Sequence, residues 1–402
     1  MRPGMQPETP EPAKEGHVVF LLLPFCLIVI LCYLPVGLAF GALPSHVHNS
    51  LGFGASIVGW TIGLQSIATV LTRGIAGNIT DGTGARRSIF FGFGALALSS
   101  CLTLSASLMF FSPSESLALI LVGRLVLGLA ESLVMAGCLA ASIAAVGPKR
   151  AGLAMVWVGI ALFVGIAAGV PAGEAAYAAF GLMGIGVVSL VAAFLVAILS
   201  VFVKHTVNPH AKRKSFLQIV GLIWPYGMAL GLSTIGYGAM ISFLALFYQS
   251  RGWEGAATCI AIFSLVYILT RVLFGSLPDK VGGFKIAIFT LPLEFAGFGL
   301  VGFANSPTMV LAGAVLAGIG YSLTFPALGV EMVKTIPPQS RGSAMGGYVA
   351  FIDIGLGVTG PIGGALVAKT GFPSLFGLSA VTCIVALIIM IVVHKISEKQ
   401  QA

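Results

Sequence analysis

One phrase occurs twice in this sequence, and it constrains the fold more than any other feature. The first copy is Leu71-Thr72-Arg73-x3-Gly77-x3-Asp81-x2-Gly84, and the second, 198 residues later, is Leu269-Thr270-Arg271-x3-Gly275-x3-Asp279-x2-Gly282. Both copies lie between long apolar stretches. A repeat of this kind predicts a chain built from two homologous membrane-embedded halves in parallel orientation.

The composition places the chain in a lipid bilayer. Among its 402 residues 57% are hydrophobic and only 8% are charged, so polar residues are too few to cover a water-soluble globule. A helix needs about 20 apolar residues to cross the hydrocarbon core. We therefore predict helices at residues 18–41, 54–75, 88–108, 117–142, 152–173, 179–203, 217–248, 255–276, 286–304, 308–332, 343–367 and 373–394.

The predicted fold class is an all-α polytopic membrane protein with two pseudo-symmetric six-helix bundles. The polar run 204–215 falls near the middle of the chain and is the predicted linker. The bundles then span 17–203 and 216–394, between an N-terminal tail at 1–16 and a C-terminal tail at 395–402. The first tail has no basic segment before the apolar run, which argues against a signal peptide.

A second set of matches pairs the fourth and fifth predicted helices with the tenth and eleventh. Gly128 and Ser132 recur 190 residues later as Gly318 and Ser322. At the same offset, Ala154-Met155, Gly165, Pro171 and Gly173 recur as Ala344-Met345, Gly355, Pro361 and Gly363. These matches support the pairing of the two halves.

Basic residues are distributed unevenly between the predicted loops. The odd-numbered loops contain only Arg251 and Lys369. The even-numbered loops contain Arg86, Arg87, Lys149, Arg150, Lys204, Lys212, Arg213, Lys214, Lys280, Lys285, Lys334 and Arg341. The positive-inside rule then predicts that both termini are cytoplasmic. The net charge of +8 therefore indicates topology, and we expect no nucleic-acid partner.

Motifs of enzymes, pumps and metal sites are missing from the sequence. It contains no G-x-x-x-x-G-K-[ST], H-E-x-x-H or G-x-S-x-G, so we expect neither an enzyme nor a nucleotide-driven pump, and no cofactor. The six cysteines lack C-x-x-C spacing and are interpreted as small core residues. His46 and His48 form an H-x-H pair without further ligands nearby, so we interpret them as an exposed loop rather than a metal site.

Two ionisable residues in the fourth predicted helix are candidates for proton coupling. A charge at the bilayer centre costs about 2.5–3.5 kcal/mol even on the insertion scale, so such residues usually have a function. Arg124 and Glu131 share a helix face and are about 10 Å apart along the axis, which predicts one polar cavity without direct pairing. Glu131 is a candidate proton or cation site, and a structural hydrogen bond is the alternative. Its counterpart by internal symmetry is Tyr321.

Asp353 in the eleventh predicted helix is the other candidate proton carrier. It precedes Gly357 by four residues and Gly360 by seven, so it lies on the small-residue face of that helix. Burial there disfavours the charged carboxylate and makes the acid protonatable. An ion pair with a neighbouring arginine is the alternative. Glu294, in the ninth predicted helix, is interpreted as structural.

Small residues mark two helices that we expect to pack closely and to bend at a gate. They are Gly165, Gly169, Pro171 and Gly173 in the fifth predicted helix and Gly357, Gly360, Pro361 and Gly364 in the eleventh. Glycine faces let helix backbones approach in lipid, and prolines loosen the helix locally. Aromatic residues that are candidates to line a pocket for a moderately apolar solute are Tyr33, Tyr237, Phe247 and Tyr321.

These motifs together resemble the major facilitator superfamily over essentially the whole chain. The stretch from Gly77 to Arg87 resembles the loop 2-3 motif of that family, with a degenerate copy from Gly275 to Lys285. Gly123-Arg124-x3-Gly128 is similar to the helix 4 motif, and Gly165-x3-Gly169-Val-Pro171-Ala-Gly173 resembles the helix 5 antiporter motif with one extra residue, Val170. Phrases such as Phe325-Pro326-Ala327-Leu328-Gly329-Val330 are similar to the YhhS/YfcJ-type branch of bacterial efflux permeases.

The resemblance implies a fold, a mechanism and roles for several residues. It implies a carrier of the bacterial inner membrane, drug:proton antiporter-like, in which two bundles rock about a central site. It assigns a cytoplasmic gate to Gly77, Asp81, Gly84, Arg86, Arg87, Gly275, Asp279 and Gly282, in which Asp81 and Arg87 hold the halves together. It links Arg124 to proton transfer. We expect the partners to be a small-molecule substrate, protons and lipid, and the unit to be a monomer.

Three alternatives to proton-coupled efflux remain open at this point. A proton symporter for uptake would use the same parts. A facilitator without ion coupling would move its solute downhill with or without the acidic residues. A membrane receptor or scaffold belongs to another functional class, and the doubled motif argues against it.

Overall fold

The computed structural model describes residues 15–108, 111–147, 150–203, 216–336 and 341–401. The predicted linker 204–215 and most of the N-terminal tail lie outside the described residues. Within them the chain is helical and no strand occurs. In the first half, α1 is Glu15–Ser45, α2 is Ala55–Thr83, α3 is Ala85–Ala106, α4 is Pro113–Val146, and α5 and α6 share the segment Ala151–Val201. In the second half, α7 is Phe216–Ser250, α8 is Ala256–Phe274, α9 is Gly283–Gly302, α10 is Pro307–Thr335, α11 is Arg341–Thr370 and α12 is Phe372–Gln401.

The segment Ala151–Val201 contains two membrane-crossing helices. Its backbone leaves the helical region at Gly181, where φ is 62° and ψ is −152°, a conformation that favours glycine because it has no Cβ. The apolar stretch Val156–Val201, which has 46 residues, would form a straight helix of about 69 Å, more than twice the thickness of the hydrocarbon core. We therefore assign α5 to the residues before Gly181 and α6 to those after it.

Twelve helices cross the membrane in the described part of the chain. Ten helical segments are long and apolar enough to span it, and one of these is the double segment α5–α6. The shorter apolar helix Thr258–Phe274 within α8 is about 26 Å long and adds the last crossing. This confirms the predicted fold class. Large apolar side chains such as Phe90, Phe289 and Phe303 are exposed on the outside, as a lipid-facing surface requires.

The two halves repeat each other in their contacts. The hydroxyl of Ser132 donates to the carbonyl of Thr69 at 2.8 Å, and the hydroxyl of Ser322 donates to the carbonyl of Tyr267 at 2.8 Å. The two serines are 190 residues apart and their acceptors are 198 residues apart. The α2–α4 pair of the first half is thus equivalent to the α8–α10 pair of the second, as the two sequence repeats predict.

The repeated phrase ends on a glycine with positive φ in both halves. Gly84 (φ 90°) ends α2 and Gly282 (φ 107°) ends the short helix Leu277–Val281, so each turns the chain into the next helix of its half. The copies differ before that point. In the first copy α2 continues to Thr83, whereas in the second α8 ends at Phe274 and the short helix follows with Pro278 in its first turn.

Several predicted boundaries differ from the structure. We predicted a loop after residue 75, but α2 continues to Thr83 because its polar residues leave the backbone hydrogen bonds intact. The break predicted at 174–178 is helical, and the bend lies at Gly181 instead. The tail predicted from residue 395 continues α12 to Gln401.

The two glycine stripes make different kinds of contact. Gly165, Gly169 and Gly173 of α5 pack on α1 of the same half, where a Cβ at Gly169 would lie 2.5 Å from the carbonyl oxygen of Leu34. Gly357, Gly360 and Gly364 of α11 pack on α2 of the other half. The symmetry mates of the α5 stripe are Gly355 and Gly363, which face α7 and α12 within their own half. Only the α11 stripe therefore lies between the halves.

The face of the membrane on which α1 begins and α12 ends is called the terminal face below, and the opposite one the far face. Near the far face, Gly59 of α2 and Gly360 of α11 approach so closely that a Cβ on either would overlap the carbonyl oxygen of the other. Beside them, the Gln249 side chain donates to Asn49 Oδ1 at 3.0 Å from the other half. The halves are therefore in direct contact on the far side.

We predict that Gly59→Ala destabilises this closed arrangement. The added methyl group overlaps the Gly360 carbonyl, and overpacking of this kind costs about 1–3 kcal/mol. The measurement is thermal unfolding of the purified protein in detergent, in which the melting temperature should fall. Gly74→Ala is the matched control, because Gly74 lies in the same helix with nothing within 4 Å of its Cβ position. Equal melting temperatures for the two variants would contradict the close α2–α11 contact.

Candidate functional site

The site begins with an ion pair that joins the two halves. Arg73 of α2 donates from Nε to Asp353 Oδ2 at 3.1 Å, and its Nη2 forms a second, shorter contact with the same oxygen. The side chains are 14% and 9% exposed. A charge at this depth is strongly unfavourable without a counter-charge, so each residue neutralises the other. The pairing agrees with the alternative that we considered for Asp353.

The symmetry-related position holds a different contact. Arg271 is the counterpart of Arg73 and Phe163 is the counterpart of Asp353, by the offsets of 198 and 190. The Arg271 guanidinium lies 5.5 Å from the centre of the Phe163 ring, and it also lies over Tyr267 and Phe325. It donates to the Tyr267 hydroxyl at 2.9 Å. Cation–π contacts therefore join the halves here.

Glu131 is buried between α2 and α4. It is 1% exposed, and its carboxylate accepts hydrogen bonds from the side chains of Gln65 and Thr69, the latter at 3.2 Å. Thr72, next to Arg73, shares a 2.8 Å hydroxyl contact with Ser132, next to Glu131. The ion pair and Glu131 are thus within about one helical turn, or 5 Å along the axis, of each other.

Arg124 lies on the same helix as Glu131 but forms its hydrogen bond with another residue. Its Nε donates to the Thr61 carbonyl at 3.0 Å, whereas its Nη1 and Nη2 are buried without a hydrogen-bond partner. The predicted absence of direct pairing with Glu131 agrees with these contacts. A small cavity of about 20 Å³ beside Arg124 has room for one water molecule, which would satisfy the free donors.

Tyr33 is buried within electrostatic range of these charged groups. Its ring is 3% exposed and its hydroxyl is buried without a partner. It interacts electrostatically with Glu131, Asp353 and Arg73. Glu131 likewise interacts with Asp353, Arg124 and Arg73. Two acids, two arginines and a phenol therefore form one electrostatic cluster at the contact between the halves.

The second half contributes an aromatic wall. Tyr321, the counterpart of Glu131, is fully buried and stacks on Tyr237 with the ring centres 4.7 Å apart. Its hydroxyl lies 3.2 Å from that of Thr234. Tyr267 lies 5.9 Å from Tyr321, and Phe163 of the first half contacts both rings. The structure thus brings three of the predicted pocket residues, Tyr33, Tyr237 and Tyr321, to the region where the halves meet.

Other predicted residues lie elsewhere. Phe247 packs with Trp253, Phe372 and Phe376, about 15 Å along α7 from Tyr237, and is not part of the aromatic wall. Glu294 is fully buried within the second half and accepts from Ser233 and Thr324, as a structural residue would.

His46 and His48 each form a hydrogen bond near the far face. His46 Nδ1 contacts the Tyr177 hydroxyl at 3.0 Å, and His48 Nδ1 contacts the Phe53 carbonyl at 2.9 Å. In the described part of the chain no group of three or more metal-binding side chains occurs.

The predicted cytoplasmic gate lies on the terminal face. Asp81 is in the last turn of α2, and Asp279 is in the short helix Leu277–Val281. Arg86 and Arg87 are exposed in the first turn of α3 and line a surface groove with Ser200 and Val201 of the same half. The prediction that Asp81 and Arg87 latch the two halves together stays a prediction.

Sequence reasoning missed Arg73 and Arg271 as site residues. Both lie inside helices, and both belong to the repeated phrase, so their equal positions in the two halves were a usable signal. It was overlooked because they are near the terminal-face ends of their predicted helices and resemble loop charges. Gln65, the partner of Glu131, has no sequence signal of its own.

Comparisons with known proteins agree with this architecture. The family model of the Major Facilitator Superfamily matches residues 25–298 and 256–402. The uncharacterized MFS-type transporter YhhS of Escherichia coli strain K12 is 36% identical over 386 residues, which cover 94% of this chain and 95% of YhhS. An uncharacterized MFS-type transporter of Burkholderia mallei strain SAVP1 is 35% identical over 378 residues, covering 92% and 91% of the two chains.

Solved structures share the fold at low sequence identity. The human organic anion transporter MFSD10 (TETRAN) aligns with a TM-score of 0.70 at 15% identity, covering 94% of this chain and 100% of that one. A mutant of the nucleoside transporter NupG aligns with a TM-score of 0.68 at 15% identity, covering 92% and 99%. These structures share the doubled six-helix fold, and the family match along the chain together with relatives at 36% and 35% identity shows that the chain belongs to the major facilitator superfamily.

Proposed function

We propose that this protein is a proton-coupled exporter of a small organic solute, working by alternating access in the bacterial inner membrane. Membership of the family supports secondary transport of a solute across a membrane. The finer proposal depends on one observation, the Arg73–Asp353 ion pair between the halves. The pair supports this proposal because an acid that can be protonated would then lie on a contact that must break when the halves move.

Protonation and solute binding would compete in such a carrier. Asp353 and Glu131 interact electrostatically with each other and with Arg73, so a proton on either acid changes the charge of the whole cluster. An antiporter requires that the halves reverse only when a proton or the solute occupies the site. Arg124, whose Nη donors have no hydrogen-bond partner, interacts electrostatically with Glu131 and would therefore respond to a change of charge there.

The two walls of the site suit a solute with a polar and an apolar part. The first half offers the carboxylate and amide of Glu131 and Gln65, and the second offers the stacked rings of Tyr321 and Tyr237. The unpartnered Tyr33 hydroxyl is a further donor for it. Flat aromatic rings bind apolar bodies by stacking, while few polar groups fix orientation.

The orientation follows from the basic loops. We place the terminal face in the cytoplasm, because it carries Arg86, Arg87, Lys280 and Lys285. The far-face contacts at Gly59 and Gly360 would then close the external side. On the cytoplasmic side, Asp81 and Arg87 of the first half would latch it to the second half in the state that opens outward. The protein would act as a monomer, since one chain contains both halves.

A proton symporter for uptake is the second candidate, and the same ion pair favours it over a facilitator. The difference is the direction of coupled flux, which depends on whether proton and solute exclude or assist each other at the site. A receptor or scaffold would not need protonatable acids between its halves.

One prediction of this proposal concerns transport under an imposed pH gradient. Candidate solutes are identified by comparing metabolites retained in cells with and without the protein, and are then tested in inverted vesicles. An acidic vesicle interior should drive accumulation of the solute by an exporter. Asp353→Asn should reduce this accumulation to the level of vesicles without the protein, because the exchangeable proton is lost, and Glu131→Gln should reduce it partly.

Glu254→Gln is the matched control, because Glu254 is an exposed acid near the far face. It should transport like the unmodified protein. Loss of solute from vesicles with an acidic interior would indicate symport. Unchanged downhill transport by both acid variants, with no effect of the gradient, would indicate a facilitator and refute coupling.

Another prediction of this proposal concerns topology. Single cysteines at Gly82 and Lys280, both exposed, should react with a membrane-impermeant maleimide in inverted vesicles but not in intact cells. A cysteine at Glu254 should react only from outside. The exposed native Cys101 is first replaced by Ser. Labelling of positions 82 and 280 from opposite sides would contradict the parallel duplication.

A further inference from the structure

The two halves meet along two seams, the contact of α2 with α11 and the contact of α5 with α8. We propose that these two seams respond differently to protonation. The α2–α11 seam is held by the ion pair of Arg73 and Asp353, which a proton can break, whereas the equivalent α5–α8 seam is held by Arg271 on Phe163, which no proton can break. Protonation of Asp353 then releases one seam only. This inference rests on the proposed proton coupling and specifies it: Asp353 is the switch and Arg73 is its positioning residue.

The equivalence of the two contacts is structural as well as sequential. Ser132 and Ser322 make the same hydrogen bond to α2 and α8, four residues before Arg73 and Arg271 respectively. Gly165 and Gly355 likewise pack against equivalent backbones of α1 and α7. The backbone positions of the two arginines are therefore equivalent, although α2 continues to Thr83 whereas α8 ends at Phe274. The acid of one seam is an aromatic ring in the other.

The direction of the effect follows from the charges. With Asp353 ionised, Arg73 has a counter-charge and the α2–α11 seam stays closed. With Asp353 protonated, the buried guanidinium loses its counter-charge, and opening the seam to water becomes favourable. Arginine remains charged at any physiological pH and phenylalanine has no proton to gain, so the α5–α8 contact does not change. The α2–α11 seam thus opens as the pH falls.

Few other groups can account for such a response. The ionisable groups that interact with Asp353 are Arg73 from α2, Tyr33 from α1 and Glu131 from α4. Helix α7, which also packs on α11, contains no charged residue. Glu131 is the rival switch, because it is buried beside the same arginine. It is bonded to Gln65 and Thr69 within its own half, however, so its protonation breaks no contact between the halves.

The test measures distances between spin labels and needs no knowledge of the solute. One pair of cysteines, at Asn78 and Met345, spans α2 and α11, and the other, at Leu153 and Leu273, spans α5 and α8. All four lie towards the terminal face and are accessible at least in part. Cys101 is replaced by Ser, and the other five cysteines are buried. Distances are recorded in lipid nanodiscs in mildly alkaline and mildly acidic buffer.

We expect the Asn78–Met345 distance to increase on acidification and the Leu153–Leu273 distance to stay constant. Asp353→Asn should give the long α2–α11 distance at both pH values. Glu131→Gln should retain the pH response. The double variant Arg73→Gln with Asp353→Asn removes both charges. Its melting temperature should exceed that of either single variant, because each single variant leaves one buried group without its partner.

A substitution in the other seam gives the sharpest result. Phe163→Asp places a carboxylate opposite Arg271, as in the first seam, and should make the Leu153–Leu273 distance pH-dependent. Phe163→Asn is its matched control and should leave that distance constant.

The inference is overturned if the α2–α11 distance does not respond to pH, if both seams respond equally in the unmodified protein, or if the response persists in Asp353→Asn and vanishes in Glu131→Gln. A seam that responds as expected in a protein that carries no solute against a pH gradient would refute the proposed exporter and leave the switch standing.

Discussion

The buried ion pair between Arg73 and Asp353 is the contact on which the relation between the halves depends. Within a membrane the hydrophobic effect does not hold helices together, because lipid is as apolar as the helices. The remaining α2–α11 contacts are mainly glycine backbones in van der Waals contact, which do not depend on protonation. Breaking a buried ion pair, by contrast, costs about 3–5 kcal/mol when one charge remains unpaired. The pair is therefore the contact that a change of protonation alters most.

The chemistry of the site comes from positions at which equivalent residues of the two halves differ. Three positions of the first half carry polar groups, and their counterparts carry rings: Gln65 matches Phe263, Thr69 matches Tyr267 and Glu131 matches Tyr321. The backbone contacts around them are the same in both halves. Equivalent backbone positions thus carry polar side chains in the first half and aromatic rings in the second. A solute that is polar at one end and apolar at the other would contact both.

Much of this arrangement was predictable from the sequence, and the rest was not for physical reasons. Hydropathy and the two repeats predicted twelve helices and the pairing of α2 with α8 and of α4 with α10, because these depend on composition and spacing. The bend at Gly181 was missed since its flanks are equally apolar and only the backbone angles reveal it. Asp353 was found because acids are rare in α11. Its partner Arg73 was missed because pairing across 280 residues is set by packing, which no local pattern records.

The two glycine stripes explain how one interface can move while the bundles stay intact. On α5 the stripe faces α1, and at Gly169 a Cβ would meet both the Leu34 carbonyl and the Gly37 Cα, so this contact is fixed within a half. On α11 the stripe faces α2 of the other half and includes Pro361, whose ring contacts Gly63. Proline removes one helical hydrogen bond and allows bending. Because the mates of the α5 stripe, Gly355 and Gly363, keep α11 attached to its own half, bending at Pro361 changes the contact with α2 and preserves the bundle. A helix that is fixed to its own half by one face and can bend where its other face meets the opposite half is what a moving seam requires, and α11 carries Asp353 on that seam.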